Sequence, residues 1–125
     1  DTYGHQAGDQ VLQLFTRNIR QSLRSIDIVA RYGGEEFVVI FPETGLEEAK
    51  SIAKRLHLSI ETTPLEIEND VIHITASMGL AGLDEGHKTL KQVLSQADKA
   101  LYAAKNAGRN RVFLAAAEED IFLPV

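Results

Sequence analysis

Two glycines followed by two carboxylates form the segment of this sequence best suited to chemistry, Gly33-Gly34-Glu35-Glu36-Phe37. Short apolar runs flank the segment on both sides, so the glycine pair predicts the turn of a β-hairpin. A backbone without Cβ atoms lets a ligand approach closely, and Mg²⁺ binds through one or two carboxylates together with phosphate oxygens. The segment therefore favours a site for a triphosphate with magnesium, although a charged hairpin tip without any ligand fits the same residues.

The two carboxylates differ in what each can reach. Side chains of neighbouring strand residues point to opposite faces of a sheet. Glu35 and Glu36 therefore cannot both bind one ion while the strand is regular. We expect one of them to reach a metal ion at the turn itself, and the spacing leaves open which one.

Three helices are predicted to support this hairpin, because apolar residues recur at steps of three and four in three places. Asp9 lies near the start of the first helix, where a carboxylate favours the positive end of the helix dipole. Thr44 and Glu47 have the spacing of a capping box that starts the second helix. Gly108 is the expected stop of the third, with Lys105 as a cation in its last turn.

Alternating or continuous apolar patterns predict the strands, which cover residues 27–32, 35–41, 71–80 and 111–114. Residues 65–69 fit either a loop or a short edge strand. Helices interspersed with strands in this order predict an α+β fold, or α/β sandwich, in which helices pack on a mixed sheet.

Composition excludes several classes of protein. The chain has 125 residues, which suits one domain. Its 13 Lys and Arg against 18 Asp and Glu give a net charge of −5, which argues against binding the phosphate backbone of a nucleic acid. The absence of cysteine excludes disulfides, thiol catalysis and zinc–thiolate sites. Apolar runs of about six residues are far too short to span a membrane.

Four motifs together carry a family resemblance. The segment Arg31-Tyr32-Gly33-Gly34-Glu35-Glu36-Phe37 resembles the signature of the GGDEF family, the diguanylate cyclases of bacterial signalling, in its GGEEF form. Residues 1–9 are similar to the family's N-D-x-x-G-H-x-x-G-D without the leading Asn, and residues 77–79 to its S-x-G. Residues 98–110 resemble its A-D-x-A-L-Y-x-A-K-x-x-G-R-N. The family's order and spacing hold from residue 1 to about 112, so we expect a GGDEF domain over 1–115 and a tail over 116–125.

The resemblance implies a fold and a reaction. The expected fold is the palm-like sheet of nucleotidyl cyclases, with flanking helices. The expected activity is the condensation of two GTP molecules into cyclic di-GMP with release of two pyrophosphates, assisted by two Mg²⁺ or Mn²⁺ ions. Each domain would hold one GTP, so catalysis would need a homodimer. The domain is expected in the cytoplasm. Membrane anchoring of its parent protein is compatible with that location.

The resemblance also implies roles for individual residues. Glu35 matches the family's metal-binding carboxylate, and Glu36 matches its neighbour, which is assigned to metal binding or to activation of the attacking hydroxyl. The residues matching the family's substrate contacts are Gly33 and Gly34 against the nucleotide, Asp9 on the guanine edge, and Lys105 and Arg109 on the terminal phosphates. Arg24 and Asp27 match the R-x-x-D motif of an inhibitory product site, to which Arg55 adds a further cation.

The sequence departs from the family pattern at its start. The family's first strand, of the form D-x-D-x-F-K-x-x-N, supplies a second metal-binding Asp and lies centrally in the sheet. It does not occur in these 125 residues. We therefore expect this chain to be an N-terminally truncated domain of low or no activity by itself. The apolar residues 121–125 are a candidate to cover an edge left open.

Two other functions remain open at this point. One is a catalytically silent GGDEF-type domain that senses GTP or cyclic di-GMP, although such a sensor would have no need of Glu35. The other is a different nucleotidyl-transfer palm domain, such as an adenylate-type cyclase. Asp9 is the residue expected to distinguish GTP from ATP, because a carboxylate accepts hydrogen bonds from both N–H donors of guanine.

Overall fold

A computed structural model describes residues 4–33, 36–82, 89–116 and 121–125, with only the backbone given for residues 4–7. The mixture of helices and strands confirms the predicted α+β class. The helices are α1 (Gly4–Gln21), α2 (Leu46–Thr62) and α3 (Leu90–Asn106). The strands are β1 (Ile28–Gly33), β2 (Glu36–Ile40), β3 (Leu65–Ile67), β4 (Asp70–Ile72), β5 (Met78–Leu80), β6 (Val112–Ala115) and β7 (Phe122–Pro124).

The described strands form three small sheets. Strands β1 and β2 make an antiparallel hairpin, and β3 and β4 make a second one. The third sheet has the order β5-β6-β7, with β5 parallel and β7 antiparallel to β6. It is therefore a mixed sheet. The apolar C-terminal segment covers the edge of β6 that faces away from β5.

One apolar core connects the first hairpin with the mixed sheet. Its buried centre consists of Ile19 from α1 with Leu56 and Ile60 from α2. Val29 and Val39 of the hairpin and Met78 of β5 are among the partly buried residues packed against it. The hairpin and the mixed sheet thus share a core, although no ladder joins them within the described residues.

A close contact between β5 and α3 explains one of the sequence motifs. A Cβ atom on Gly79 would overlap the backbone carbonyl of Ala97 and the backbone nitrogen of Leu101. Only glycine fits there, because both obstacles are main-chain atoms that cannot rotate away. The glycine of the Ser77-Met78-Gly79 segment is therefore a packing requirement between strand and helix.

Three local predictions were wrong. Helix α1 begins at Gly4, so Asp9 lies in its second turn. The capping box of Thr44 and Glu47 is absent: Gly45 is the N-cap, and the Thr44 hydroxyl donates to the Pro42 carbonyl instead. The strand expected over 71–80 is divided into β4 and β5, with residues 73–77 outside both.

The third helix starts at a cap that the sequence reading missed. The Thr89 hydroxyl accepts from the backbone nitrogen of Gln92, and the Gln92 side chain accepts from the backbone nitrogen of Thr89. This reciprocal pair is a capping box. None of the helices in the described part of the chain is long and apolar enough to cross a bilayer.

Candidate functional site

The predicted glycine-rich hairpin is confirmed, and its end is irregular. Pairing follows a regular register from Ile28 to Arg31, then shifts so that Gly33 lies opposite Glu36. Such a shift bends the ladder and redirects side chains. The extra residue, Tyr32, lies on β1, whereas Glu36 and Phe37 of β2 pair at consecutive positions. Gly34 and Glu35 lie outside the described residues.

Gly33 and Glu36 are both exposed at this hairpin end. A Cβ atom added at Gly33 would have no neighbour within 4 Å among the described residues. Packing thus imposes no demand for glycine at Gly33, in contrast to Gly79. An open backbone beside an exposed carboxylate can admit an anionic ligand together with its metal ion.

Asp9 is exposed on the second turn of α1. The influence of a helix dipole falls off within the first turn, and no acidic residue lies in the first turn of α1. The interpretation of Asp9 as a helix-start residue therefore fails, because the helix begins five residues earlier. Its carboxylate remains able to accept two parallel N–H donors from a ligand.

The two predicted phosphate-binding cations lie at the C-terminal end of α3. A Schellman motif ends this helix: Gly108 donates its N–H to the Lys105 carbonyl at 3.3 Å, and Arg109 donates to the Ala104 carbonyl at 3.0 Å. Gly108 has a φ of 122°, which confirms it as the predicted stop. Within the described residues the exposed side chains of Lys105 and Arg109 have no hydrogen-bond or ion-pair partner. Both cations are thus available to an anion.

Arg24 and Asp27 form a hydrogen-bonded ion pair in the turn between α1 and β1. The Asp27 side chain is inaccessible to solvent, whereas that of Arg24 is 33% exposed. Asp27 accepts from the Arg24 Nη2 at 2.9 Å, from its Nε at 3.2 Å and from its backbone nitrogen at 2.9 Å. These hydrogen bonds hold the pKa of the Asp27 carboxyl below its usual range and raise the pKa of Arg24.

Neighbouring residues extend this pair into a cluster. Arg24 also donates to the Thr44 hydroxyl at 2.6 Å and lies 3.8 Å from a carboxylate oxygen of Glu48. Arg55 is exposed and donates to the Ser22 carbonyl at 3.5 Å. Its positive charge also lowers the pKa of Asp27. The three predicted product-site residues are thus brought together, and Thr44 is an additional member that the sequence reading assigned to a helix cap.

Asn110 is a further residue that the sequence reading did not single out. It connects the turn after α3 with His57 and Glu61 of α2 and with Ser77 before β5. Its partners lie 33 to 53 positions away along the chain. The only sequence signal was its place in the Gly108-Arg109-Asn110 motif.

A shallow depression of about 270 Å³ occurs elsewhere on α1. It is formed between α1 and the β3–β4 hairpin by residues that include Gln10, Gln13, Arg17, Glu66 and Glu68. None of the predicted site residues that the structure describes lines it. Within the described ranges, no three His, Asp or Glu side chains stand close enough to hold a metal ion.

Comparison with known proteins decides the family. The family model for the diguanylate cyclase GGDEF domain matches residues 1–111. The chain belongs to the GGDEF family. This GGDEF domain is 42% identical over 115 residues to the diguanylate cyclase DgcP of Pseudomonas aeruginosa, covering 92% of the chain and 17% of that protein. It is 39% identical over 114 residues to the response regulator PleD of Caulobacter vibrioides, covering 90% and 25%.

Solved structures of relatives have the same fold. The diguanylate cyclase SiaD of Pseudomonas aeruginosa, in complex with its activator SiaC, superposes with a TM-score of 0.84 at 36% identity, covering 92% of this chain and 44% of that one. The GGDEF domain of DgcB from Caulobacter crescentus, in complex with c-di-GMP, gives 0.83 at 36% identity, covering 92% and 68%. The GGDEF domain spans between about a sixth and a third of the curated relatives it matches. The predicted family and fold are confirmed.

Proposed function

We propose that this GGDEF domain condenses two GTP molecules into cyclic di-GMP and two pyrophosphates. The hairpin end carries the proposal. Packing among the described residues does not require glycine at position 33, and Gly33 is exposed and lies opposite the exposed Glu36. Family membership, through residues 1–111, supports the same reaction. GTP is the proposed substrate, and the cytoplasm is the proposed place of action.

The proposed metal site uses the carboxylates of Glu35 and Glu36. Carboxylate oxygens are ligands that Mg²⁺ and Mn²⁺ accept, and a hydrated Mg²⁺ needs only one or two of them beside the phosphates. The exposed Glu36 fits this requirement. Bound there, the ions would supply Lewis-acid polarisation and charge neutralisation at the phosphates.

The remaining polar residues position the nucleotide. Asp9 accepts from the guanine N1–H and N2–H groups, and Gly33 and Gly34 let the phosphates approach the backbone. Lys105 and Arg109 hold the terminal phosphates through charge-assisted hydrogen bonds. Their exposure and their lack of partners in the described part of the chain support these roles.

The proposed reaction balances over two identical half-reactions. The 3′-hydroxyl oxygen of one GTP attacks the α-phosphorus of the other, the new P–O bond forms in line with the breaking one, and pyrophosphate leaves. The hydroxyl proton passes to a base, for which Glu36 is the proposed group. A second attack in the opposite direction closes the ring. Two domains must face each other, so the proposed catalytic unit is a homodimer.

The cluster of Arg24, Asp27 and Arg55 is the proposed inhibitory site for cyclic di-GMP. Guanidinium groups pair with phosphates and stack on guanine rings. Arg24 is one-third exposed and Arg55 is exposed, so both can reach a ligand at the surface. Binding of product there would restrain further turnover.

A sensor that binds cyclic di-GMP without making it is the second candidate. One observation favours it. Among the described residues, the hydrogen bonds and ion pairs of the Arg24–Asp27 cluster do not involve Glu36. Separately, we propose that the 125 residues by themselves turn over little or no GTP, because the D-x-D-x-F-K-x-x-N segment that carries the family's further metal-binding Asp is not among them.

Steady-state turnover of GTP with Mg²⁺ tests these proposals, on the 125-residue chain and on the protein at its natural length. The expected result is cyclic di-GMP from the natural-length protein, little from the 125-residue chain, and none from either after Glu35→Ala. Glu66→Ala, on an exposed strand position, is the matched control. Product formation that survives Glu35→Ala would exclude the proposed active site. Binding of cyclic di-GMP without any turnover at natural length would favour the sensor.

A further inference from the structure

The turn that carries Arg109 has an unusual backbone. Three consecutive residues have left-handed φ angles: 122° at Gly108, 64° at Arg109 and 47° at Asn110. Glycine adopts such angles freely and asparagine tolerates them, whereas arginine does so at a cost in free energy. The helix stop accounts for Gly108. Interactions beyond the helix must therefore hold Arg109 in place.

Asn110 supplies these interactions from three directions. Its backbone nitrogen donates to the Ser77 hydroxyl at 3.2 Å. Its side-chain Nδ2 donates to the Glu61 Oε2 at 2.6 Å, and its Oδ1 lies 2.9 Å from the His57 Nε2. His57 and Glu61 are four residues apart, so they lie on the same face of α2. We name this set of contacts the Asn110 clamp.

The chemistry of the clamp fixes the direction of each hydrogen bond. A carboxylate only accepts, so the amide nitrogen of Asn110 must face Glu61 and the amide oxygen must face His57. His57 therefore carries a hydrogen on Nε2 and donates it. Every polar group that Asn110 presents to α2 has a complementary partner.

We infer that Asn110 is a positioning residue for the phosphate-binding Arg109, and that His57 and Glu61 hold it in that role. The inference rests on the proposed function, in which Arg109 contacts the terminal phosphates of GTP. The Arg109 side chain is exposed and has no partner within the described residues. The backbone at Arg109 therefore sets the point from which its side chain extends. The helix stop fixes the residue before it, Gly108, and the clamp fixes the residue after it, Asn110.

The inference also gives a role to two family motifs. Ser77 comes from the S-x-G segment and Asn110 from the Gly108-Arg109-Asn110 segment. Their mutual hydrogen bond joins the start of β5 to the end of α3. Neither residue needs to touch the nucleotide for its side chain to matter, because both define the path of the backbone at Arg109.

The test compares the binding of GTP and GMP by calorimetry, on the natural-length protein with Ca²⁺ in place of Mg²⁺ to slow turnover. In Asn110→Ala we expect the dissociation constant for GTP to rise about tenfold, equivalent to one or two hydrogen bonds. The constant for GMP should stay unchanged, because GMP lacks the terminal phosphates. A fall in affinity that is equal for both nucleotides would mean a general structural defect and would overturn the inference.

Two further variants keep the test decisive if Asn110→Ala folds poorly. His57→Ala should raise the GTP constant about threefold, and His57→Gln, whose amide retains an N–H donor, should restore most of the affinity. His73→Ala is the matched control, since His73 is exposed and lies outside the clamp. Equal effects of His57→Ala and His57→Gln would contradict a donor role for His57.

A double-mutant cycle separates the inference from the proposed function. If Asn110 acts through Arg109, Asn110→Ala should have no further effect on GTP binding once Arg109→Ala is present. Additive effects would overturn the inference. Unchanged GTP affinity in Arg109→Ala alone would instead overturn the proposed role of Arg109. In that case hydrogen exchange at the Arg109 amide still tests the clamp: exchange should accelerate in Asn110→Ala, and an unchanged rate would contradict the clamp.

Discussion

Two sets of charged residues in this domain differ in whether their charges already have partners. Arg24 and Asp27 satisfy each other through three side-chain hydrogen bonds and one backbone hydrogen bond. Lys105, Arg109 and Glu36 are exposed, and no side-chain partner for them occurs in the described ranges. The paired charges contribute to folding, whereas the others, being exposed, contribute little. Mutations should therefore affect stability in the Arg24–Asp27 pair and mainly ligand affinity in the second set.

The largest effect is expected at the hairpin. In the natural-length protein, Glu36→Ala should lower turnover by about 100- to 1000-fold, the usual loss when one preorganised electrostatic group is removed. The midpoint of thermal unfolding should not change, because Glu36 is exposed at a strand end. Initial rates with GTP and Mg²⁺ and a melting curve measure both, with Glu66→Ala as the control. A clear loss of stability would contradict the expectation that the exposed Glu36 contributes little to folding.

The next largest effect concerns the cations at the end of α3. Lys105→Gln and Arg109→Gln should each weaken GTP binding by about 10- to 100-fold, because each removes a charge-assisted hydrogen bond to phosphate. Unfolding midpoints should again stay constant. Lys91→Gln, an exposed lysine in the first turn of the same helix, is the matched control. Losses in GTP affinity as small as that control's would place the phosphates elsewhere.

Substitution of Asp27 should alter both ligand binding and stability. Asp27→Asn should weaken cyclic di-GMP binding about tenfold by releasing Arg24 from its fixed position. It should also lower the unfolding midpoint at pH 7, because the bidentate pair with Arg24 is lost. Titration calorimetry and thermal melts measure the two effects. Asp70→Asn, at an exposed carboxylate in β4, should change neither.

The same variant gives a pH signature. Because the pKa of Asp27 is lowered in the folded state from its usual value of 3.8, its contribution to stability is complete above about that pH. The contribution is lost as the pH falls further, through the lowered pKa. The unfolding free energy of the unmodified protein should therefore fall more steeply below pH 4 than that of Asp27→Asn. Denaturant titrations between pH 2 and pH 7 measure this difference, and parallel curves would contradict it.

The smallest effect is expected at Arg55. Its hydrogen bond to the Ser22 carbonyl is long, at 3.5 Å, and exposed. Arg55→Ala should weaken cyclic di-GMP binding about threefold and leave unfolding unchanged, because exposed charges contribute little to stability. Titration calorimetry against Lys54→Ala, the neighbouring exposed cation, measures it. An effect as large as that of Asp27→Asn would mean that Arg55 also supports the fold.

Sequence reasoning succeeded where local chemistry determines structure. The glycine pair predicted the hairpin, the apolar stripes predicted the three helices, and Gly108 predicted the end of α3. It failed where a distant group competes for a side chain. The Thr44 hydroxyl had the spacing of a cap, yet Arg24, twenty residues earlier, donates to it. No local pattern reveals that competition.

The candidate site was predictable only in part for the same reason. Family motifs named Asp9, Lys105 and Arg109, and the structure places all three at exposed positions. The Asn110 clamp depends on His57, which is 53 residues away. Spacing within a motif carries no information about a partner at that distance, so only the folded chain shows it.

The contact at Gly79 has a mechanical consequence. With the β5 backbone in direct contact with the α3 backbone, the helix cannot slide or rotate over the strand without a collision. Helix α3 and the β5–β6–β7 sheet must therefore move as one rigid body. Any signal that shifts this helix relative to the β1–β2 hairpin would move Lys105 and Arg109 together with it. The distance between these two cations and the carboxylate of Glu36 would then change in a single displacement.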